Sequence, residues 1–378
     1  MVKILKSIDK PLLIATVILF VIGLVMVFSA SNVTAYMQYY VSPYHYFVNQ
    51  ALFLVAGVFM FLIMINFPTE SYNFISKFLI LVIIILLAVL SVVGKAKNQA
   101  VSWFDLGPIS LQPSEFAKVV SIVFLACYYD KKKKFLDSYK TIFYPIAVCV
   151  VIAGLIALQP DLGTAIIYSF IVAVIFFSEP IPKIIKFKIL SIALGGFILV
   201  GLFLAFSGKS VLLERQQARF NFKRPCDRLL TDGNQVCNGY IAINNGGLWG
   251  KGLGNSTQKY LYLPEPYTDF IFTILVEELG ALVGLFVIFL YMLILYRILA
   301  IGRASNNNRN ASMCYGIAVY IFLHIAINLL GIFGLMPLTG VPLPFMSYGG
   351  SFTICLIAAL TVVQRVSVEN GNKKKLSN

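Results

Sequence analysis

Charge is scarce in this 378-residue chain: Asp, Glu, Lys and Arg together make up 12% of it, and only 16 residues are acidic. With 59% hydrophobic residues and a mean hydropathy of +0.85, that scarcity excludes a water-soluble globular domain of this length. Histidine occurs twice. Four of the six cysteines, Cys127, Cys149, Cys314 and Cys355, lie within or beside apolar stretches and read as small hydrophobes. Cys226 and Cys237 lack a Cys-x-x-Cys partner or a neighbouring His, which argues against a metal site. Nothing resembling a cleavage site follows the first apolar run, so it reads as a retained helix and not a secretion signal. No two-fold internal repeat of the kind many transporters show is detectable.

What is present is a series of apolar runs long enough to cross a bilayer as helices, about 20 residues each. They fall near 11–31, 46–66, 74–94, 113–128, 141–158, 160–178, 188–207, 269–296, 311–335 and 346–368. The chain is therefore expected to be an all-α polytopic membrane protein of about ten transmembrane helices, a single membrane domain over 1–378 with a short basic tail at 366–378. Basic loops stay on the cytoplasmic side. Placing Lys3, Lys6 and Lys10 inside puts Lys77, Lys131 to Lys134 with Lys140, Lys183, Lys186 and Lys188, Arg297, Arg303 and Arg309, and Arg365 with Lys373 to Lys375 inside too. Both termini are then cytoplasmic. The net charge of +14 is mostly this topology signal, with anionic headgroups as its natural partners, and needs no nucleic acid to explain it.

The segment 208–268 is far longer than an ordinary connection and becomes a large outside loop before the eighth helix. "ERQQARFNFKRPCDRLL" has the spacing of an interfacial amphipathic helix. Cys226 and Cys237 share the loop, where an oxidising environment would permit a disulfide; paired and free thiols both fit. The glycines at 250, 252 and 254 lack the βαβ context of a dinucleotide fingerprint. They read equally as a tight loop or as close backbone approach to a phosphate or sugar.

Charged residues within spans cost roughly 2.5 to 3.5 kcal/mol at a helix centre unless paired or wetted, so they mark where function resides. In "LQPSEFAK", Pro113 suits a first helical turn, and Glu115 and Lys118 then share one face. This pair implies a polar cavity entering the bundle, or a simple dipole-and-pair arrangement. Asp269 stands at the first turn of the eighth helix, where Thr268 is placed to cap. Asp161 in "LQPDLGTA" reads as a helix cap, at least one of Glu277 and Glu278 as an interhelical hydrogen-bond partner, and His324 as a satisfied interior histidine. The polar candidates gather on the outer side, at 102–118, 158–161 and 208–269.

Four stretches, "SWFDLGPISLQPSEFAK" (102–118), "LQPDLGTA" (158–165), "NGYIAINNGGLWGKGLGNSTQKYLYLPEPYTDFIFTILVEELG" (238–280) and "LMPLTGVPLPFMSYGGS" (335–351), resemble the signature blocks of the FtsW/RodA (SEDS) family, in order and over nearly the whole chain. Tyr267, Trp249 and Phe352 depart from residues common there. The resemblance implies a peptidoglycan glycosyltransferase that polymerises lipid II at the outer face of the bacterial cytoplasmic membrane. Its implied partners are a class B penicillin-binding protein and other divisome or elongasome membrane proteins. Asp269 matches the family's essential carboxylate and takes the role of general base; Trp103, Gln112, Ser114, Glu115 and Lys118 fall in the first block as substrate-side residues. A lipid pyrophosphate leaving group requires cations, for which Lys118 and the loop residues Arg215, Arg219, Lys251 and Lys259 are candidates, and a divalent cation, Mg or Mn, bridging the pyrophosphate suits the same chemistry. The competing classes are a lipid II flippase, which would want a site near the midplane, and a non-enzymatic scaffold.

Overall fold

A computed structural model describes Ile4 and residues 7–93, 102–105, 110–159, 161–191, 195, 224–228 and 233–376. The protein is all-α. Its helices bounded within the described residues are α1 (Lys10–Met37), α2 (His45–Met64), α3 (Tyr72–Val93), α4 (Pro113–Lys131), α5 (Tyr139–Ala157), α6 (Leu162–Ser178), α7 (Asn234–Gly246), α8 (Ile271–Arg303), α9 (Asn308–Ile332) and α10 (Gly350–Leu376). A two-residue ribbon, β1 (Phe104–Asp105) antiparallel to β2 (Ser110–Leu111), precedes α4.

Among the described residues seven helices are long and apolar enough to span a membrane, namely α1, α2, α3, α5, α8, α9 and α10, and α6 is a shorter apolar helix. Nine of the ten expected spans thus have a helix in place; the tenth, 188–207, lies almost entirely outside the described residues. Because α4 packs against α3, α5, α6, α9 and α10, few of its side chains face outward, and its composition can be more polar than a lipid-facing helix allows. The same logic separates α10, with 78% of its apolar window buried, from α2, with 11%. The basic tail is no loose appendage: α10 continues through it to Leu376.

Two irregular segments pack against the helices, and the backbone groups they bury need protein partners. The first is the strap 334–349. Gly23 makes room for it on α1, where a Cβ would collide with the Phe345 carbonyl. Pro342 and Pro344 remove two N–H groups that would otherwise need acceptors, while their carbonyls accept from His324 Nδ1 at 3.3 Å and from Tyr291 Oη at 2.6 Å. The second is the glycine loop 247–254, seated on a break in α8. At Gly280 the helix departs to φ 85°, ψ 166°, exposing backbone groups that the loop takes up: Lys251 N donates to Glu277 O, Gly252 N to Glu278 O, and Ala281 N to Gly247 O. Gly250 therefore serves close backbone approach, but to the chain's own helix, where a Cβ would meet the Glu278 carbonyl; a Cβ at Gly254 would lie in open space.

A Cβ at Gly280 would need the left-handed region and would meet the Leu248 carbonyl. Gly280→Ala is expected to cost about 1–3 kcal/mol from backbone strain alone, read as a lower unfolding temperature in detergent; an unchanged melting curve would show that the break tolerates a side chain.

Candidate functional site

Asp269 sits in a turn just before α8, whose N-cap is Phe270, and so is not in the first helical turn as expected. The reason is local: Thr268 Oγ1 does not cap α8 but folds back onto the Glu265 carbonyl and carboxylate, each at 3.1 Å. The stretch is fixed by its main chain. Tyr267 O accepts from Tyr348 N at 2.9 Å, Thr268 O from Ser347 Oγ at 2.6 Å, and Asp269 O from Asn328 Nδ2 at 2.9 Å. With the backbone held on three successive carbonyls, the Asp269 side chain is left partly exposed, its Oδ2 3.5 Å from the Cβ position of exposed Gly340. Tyr267 itself is buried against Tyr46, with ring centroids 4.5 Å apart, and burial pushes its hydroxyl well above the usual tyrosine range, so it stays a proton donor.

The rim around this turn is assembled from distant parts. Gln112 Nε2 lies 3.4 Å from Asp161 Oδ2, and Asp161 Oδ1 caps α6 through Thr164 N at 3.1 Å. Gly163, one residue into that helix, has its Cβ position 3.4 Å from Thr339 of the strap, next to Gly340. Ser351 Oγ ties the ribbon to α10, accepting from Gln112 N and donating to Ser110 O, both at 3.1 Å. Trp103 is half-buried at the start of the ribbon, and Ser102 Oγ lies 3.5 Å from Gln159 O.

Glu115 and Lys118 form the expected pair, with Lys118 Nζ 2.7 Å from Glu115 Oε1, but not at an open cavity: their side chains are 3% and 0% exposed. Tyr320, His324 and the α10 residues Phe352 and Cys355 close over them. Lys118 Nζ is 2.9 Å from His324 Nε2 and 5.5 Å from the Tyr320 ring centre, while Phe352 stacks on His324 at 4.7 Å. Ser114 is buried beside them.

Of the loop cations, Lys259 is spent on structure. Its buried ammonium donates to Gly254 O at 2.7 Å, Glu278 Oε1 at 3.0 Å and Ser29 Oγ at 3.3 Å, which accounts for all three protons. Glu278 also accepts from Ser29 of α1 at 2.7–2.8 Å, the interhelical bond expected of one of the two glutamates. Glu277 gathers Ser256, Thr257 and Gln258 of the loop and Asn245 of α7. Lys251, 3.4 Å from Glu277, keeps a third of its side chain exposed. Arg215 and Arg219 lie outside the described residues. Cys226 and Cys237 are disulfide-bonded, joining residues 224–228 to the first turn of α7. No three His, Cys, Asp or Glu among the described residues come together as a metal set.

Sequence reasoning missed Asn328 and Ser347, and left His324 without a partner. The available signal was polar residues one turn apart, His324 and Asn328, in the otherwise apolar C-terminal half of α9.

These features define a class: a helical membrane protein with a partly exposed carboxylate at one end of the bundle, braced by buried ion pairs and an inserted strap. The particular family follows from comparison. The FtsW/RodA/SpoVE family, described as cell cycle proteins, matches residues 10–372, and the chain belongs to it. It is 39% identical over 382 residues to the probable peptidoglycan glycosyltransferase FtsW of Bacillus subtilis (strain 168), covering 99% of this chain and 94% of that protein. In fold it is similar to the Thermus thermophilus rod shape determining protein RodA, with TM-score 0.66, 26% identity and coverage of 95% and 96%. It also shares its fold with a chain of a peptidoglycan synthase complex that coordinates polymerization and crosslinking, with TM-score 0.73, 24% identity and coverage of 96% and 98%.

The Lys259–Glu278 pair yields a stability prediction. Lys259→Met leaves a buried carboxylate unpaired and is expected to destabilise by about 3–5 kcal/mol, whereas Lys259→Met with Glu278→Leu should recover most of that loss in a thermal-unfolding assay. A double variant as unstable as the single one would mean that the pair does not act as a unit.

Proposed function

We propose that this chain is a peptidoglycan glycosyltransferase that polymerises lipid II, with Asp269 as general base. The observation that carries the reading is the Asp269 carboxylate itself, held by its main chain at the rim of the helix bundle and left partly exposed beside Gly340. The curated relative's name and the family membership support the same reaction. A lipid-linked sugar has its reacting atoms in water and its tail in the bilayer, so a base at this boundary meets the one and need not dislodge the other.

In the reaction the acceptor 4-hydroxyl oxygen attacks the donor's anomeric carbon. The new C–O bond forms as the bond to the lipid pyrophosphate breaks, the pyrophosphate leaves with the electron pair, and Asp269 receives the hydroxyl proton. A divalent cation would arrive with the substrate's pyrophosphate and neutralise its charge; no set of carboxylates or histidines among the described residues would hold it alone. Membership in an assembly with a class B penicillin-binding protein fits the related synthase complex. The cytoplasmic membrane, with termini inside and the 208–268 loop outside, fits the basic loops and the Cys226–Cys237 disulfide, since such bonds persist in oxidising compartments. The gathering of the candidate site residues around the strap and the start of α8 favours an enzyme over a transporter, and polymer made by purified protein separates it from a scaffold.

Positioned general bases contribute a factor of about 10² to 10⁴, so Asp269→Asn should abolish polymer in a lipid II assay resolved by glycan length while the protein still accumulates; near-normal polymer would overturn the assignment. For orientation, a membrane-impermeant maleimide applied to intact cells should label Cys226 and Cys237 only after reduction, and labelling that requires lysis would place the loop inside.

A further inference from the structure

The interior histidine carries more than its own satisfaction. Lys118 offers only donors and Pro342 O only an acceptor, so the two contacts of His324 fix its tautomer: Nε2 accepts from the ammonium at 2.9 Å and Nδ1–H donates to the carbonyl at 3.3 Å. A second proton on Nε2 would face the ammonium directly, so the ring stays neutral, wedged between Phe352 and Tyr320. One turn along α9, Asn328 Nδ2 donates to Val341 O and to Asp269 O, both at 2.9 Å. Two consecutive strap carbonyls, Val341 and Pro342, are thus gripped by one helix face. One grip leads to the main chain of Asp269 and the other to the Glu115–Lys118 pair.

We propose that His324 is a positioning residue for the reaction at Asp269: as a neutral imidazole it registers the strap 341–347 against Lys118, and through the strap it sets where Asp269 and Gly340 stand. It touches no substrate. The proposal rests on the glycosyltransferase reading for its kinetic consequences but not for its structural ones. A glutamine can repeat both contacts, with its amide oxygen on Lys118 and its amide N–H on Pro342 O. Leucine can make neither, and asparagine is too short to reach both partners.

The test compares full-length wild type with His324→Gln, His324→Leu and His324→Asn, measuring kcat and KM on lipid II and amide hydrogen exchange over 341–347. Misplacement of reacting groups by about 1 Å costs on the order of 10²-fold. His324→Leu and His324→Asn should therefore lower kcat by about 10- to 100-fold with KM within about threefold, and exchange in the strap should rise. His324→Gln should stay within about threefold of wild type on every measure. Added to Lys118→Met, His324→Leu should cost nothing further, because both act on one linkage. The proposal is overturned if a folded His324→Gln is as slow as His324→Leu, if His324→Leu is near normal, or if the two losses simply multiply. Should His324→Leu not fold, the contrast between His324→Gln and His324→Asn decides in the same way. Wild type that makes no glycan, while exchange follows the pattern above, would sink the function and leave the positioning role standing.

Discussion

Every buried backbone polar group needs a partner, and two stretches of irregular chain packed against the long helices make that requirement the organising constraint. The strap 334–349 carries carbonyls and N–H groups in among buried side chains, and the largely exposed glycine loop 247–254 lays its backbone against a break in a helix. Each is met by a long helix that gives something up. Helix α8 gives up its own regularity at Gly280, so that its backbone can bond the loop. Helix α9 gives up apolarity at His324 and Asn328, so that its side chains can bond the strap. The prolines at 342 and 344 act on the same demand from the other side by having no N–H to satisfy.

The site grows out of that constraint. The stretch 267–269 lies where the strap and the start of α8 meet, and three successive carbonyls are bonded by Tyr348, Ser347 and Asn328. Those bonds fix where the Cα of Asp269 stands, so the carboxylate is presented from a set position. Burying Glu277 and Glu278 two turns further on is expensive, but they fasten the loop from below through Ser256, Thr257 and Lys259. The two buried carboxylates hold the floor beneath the rim that carries Asp269.

Much of this was readable in the chain before any coordinates. The apolar runs fixed the helices, and Glu115 with Lys118, three apart after Pro113, fixed an ion pair, because both follow from local spacing. Asp161 was legible as a cap for the same reason. The partners were not: Ser29 with Glu278 and Lys118 with His324 are 249 and 206 residues apart, and nothing in either neighbourhood names the other. The start of α8 was misplaced because Thr268 had two uses for its hydroxyl and Glu265, three residues back, won. The start of α10 was placed at 346 and falls at Gly350, because the end of the strap is as apolar as a helix. Arg219 lies outside the described residues, and its part in the site rests on its charge alone.

Burial also sorts the cations by what they can do for an anionic leaving group. A buried ion pair is nearly neutral at a distance, and its field falls away faster than that of a lone charge. Lys118 beside Glu115, and Lys259 beside Glu278, are therefore poor sources of positive potential at the rim, however close the rim is in sequence. Lys251 differs, since its contact to Glu277 is longer and a third of its side chain reaches solvent. Of the described candidates, Lys251 is thus the better placed to offer direct charge to a pyrophosphate in the proposed reaction, while the part proposed for Lys118 runs through its contact with His324.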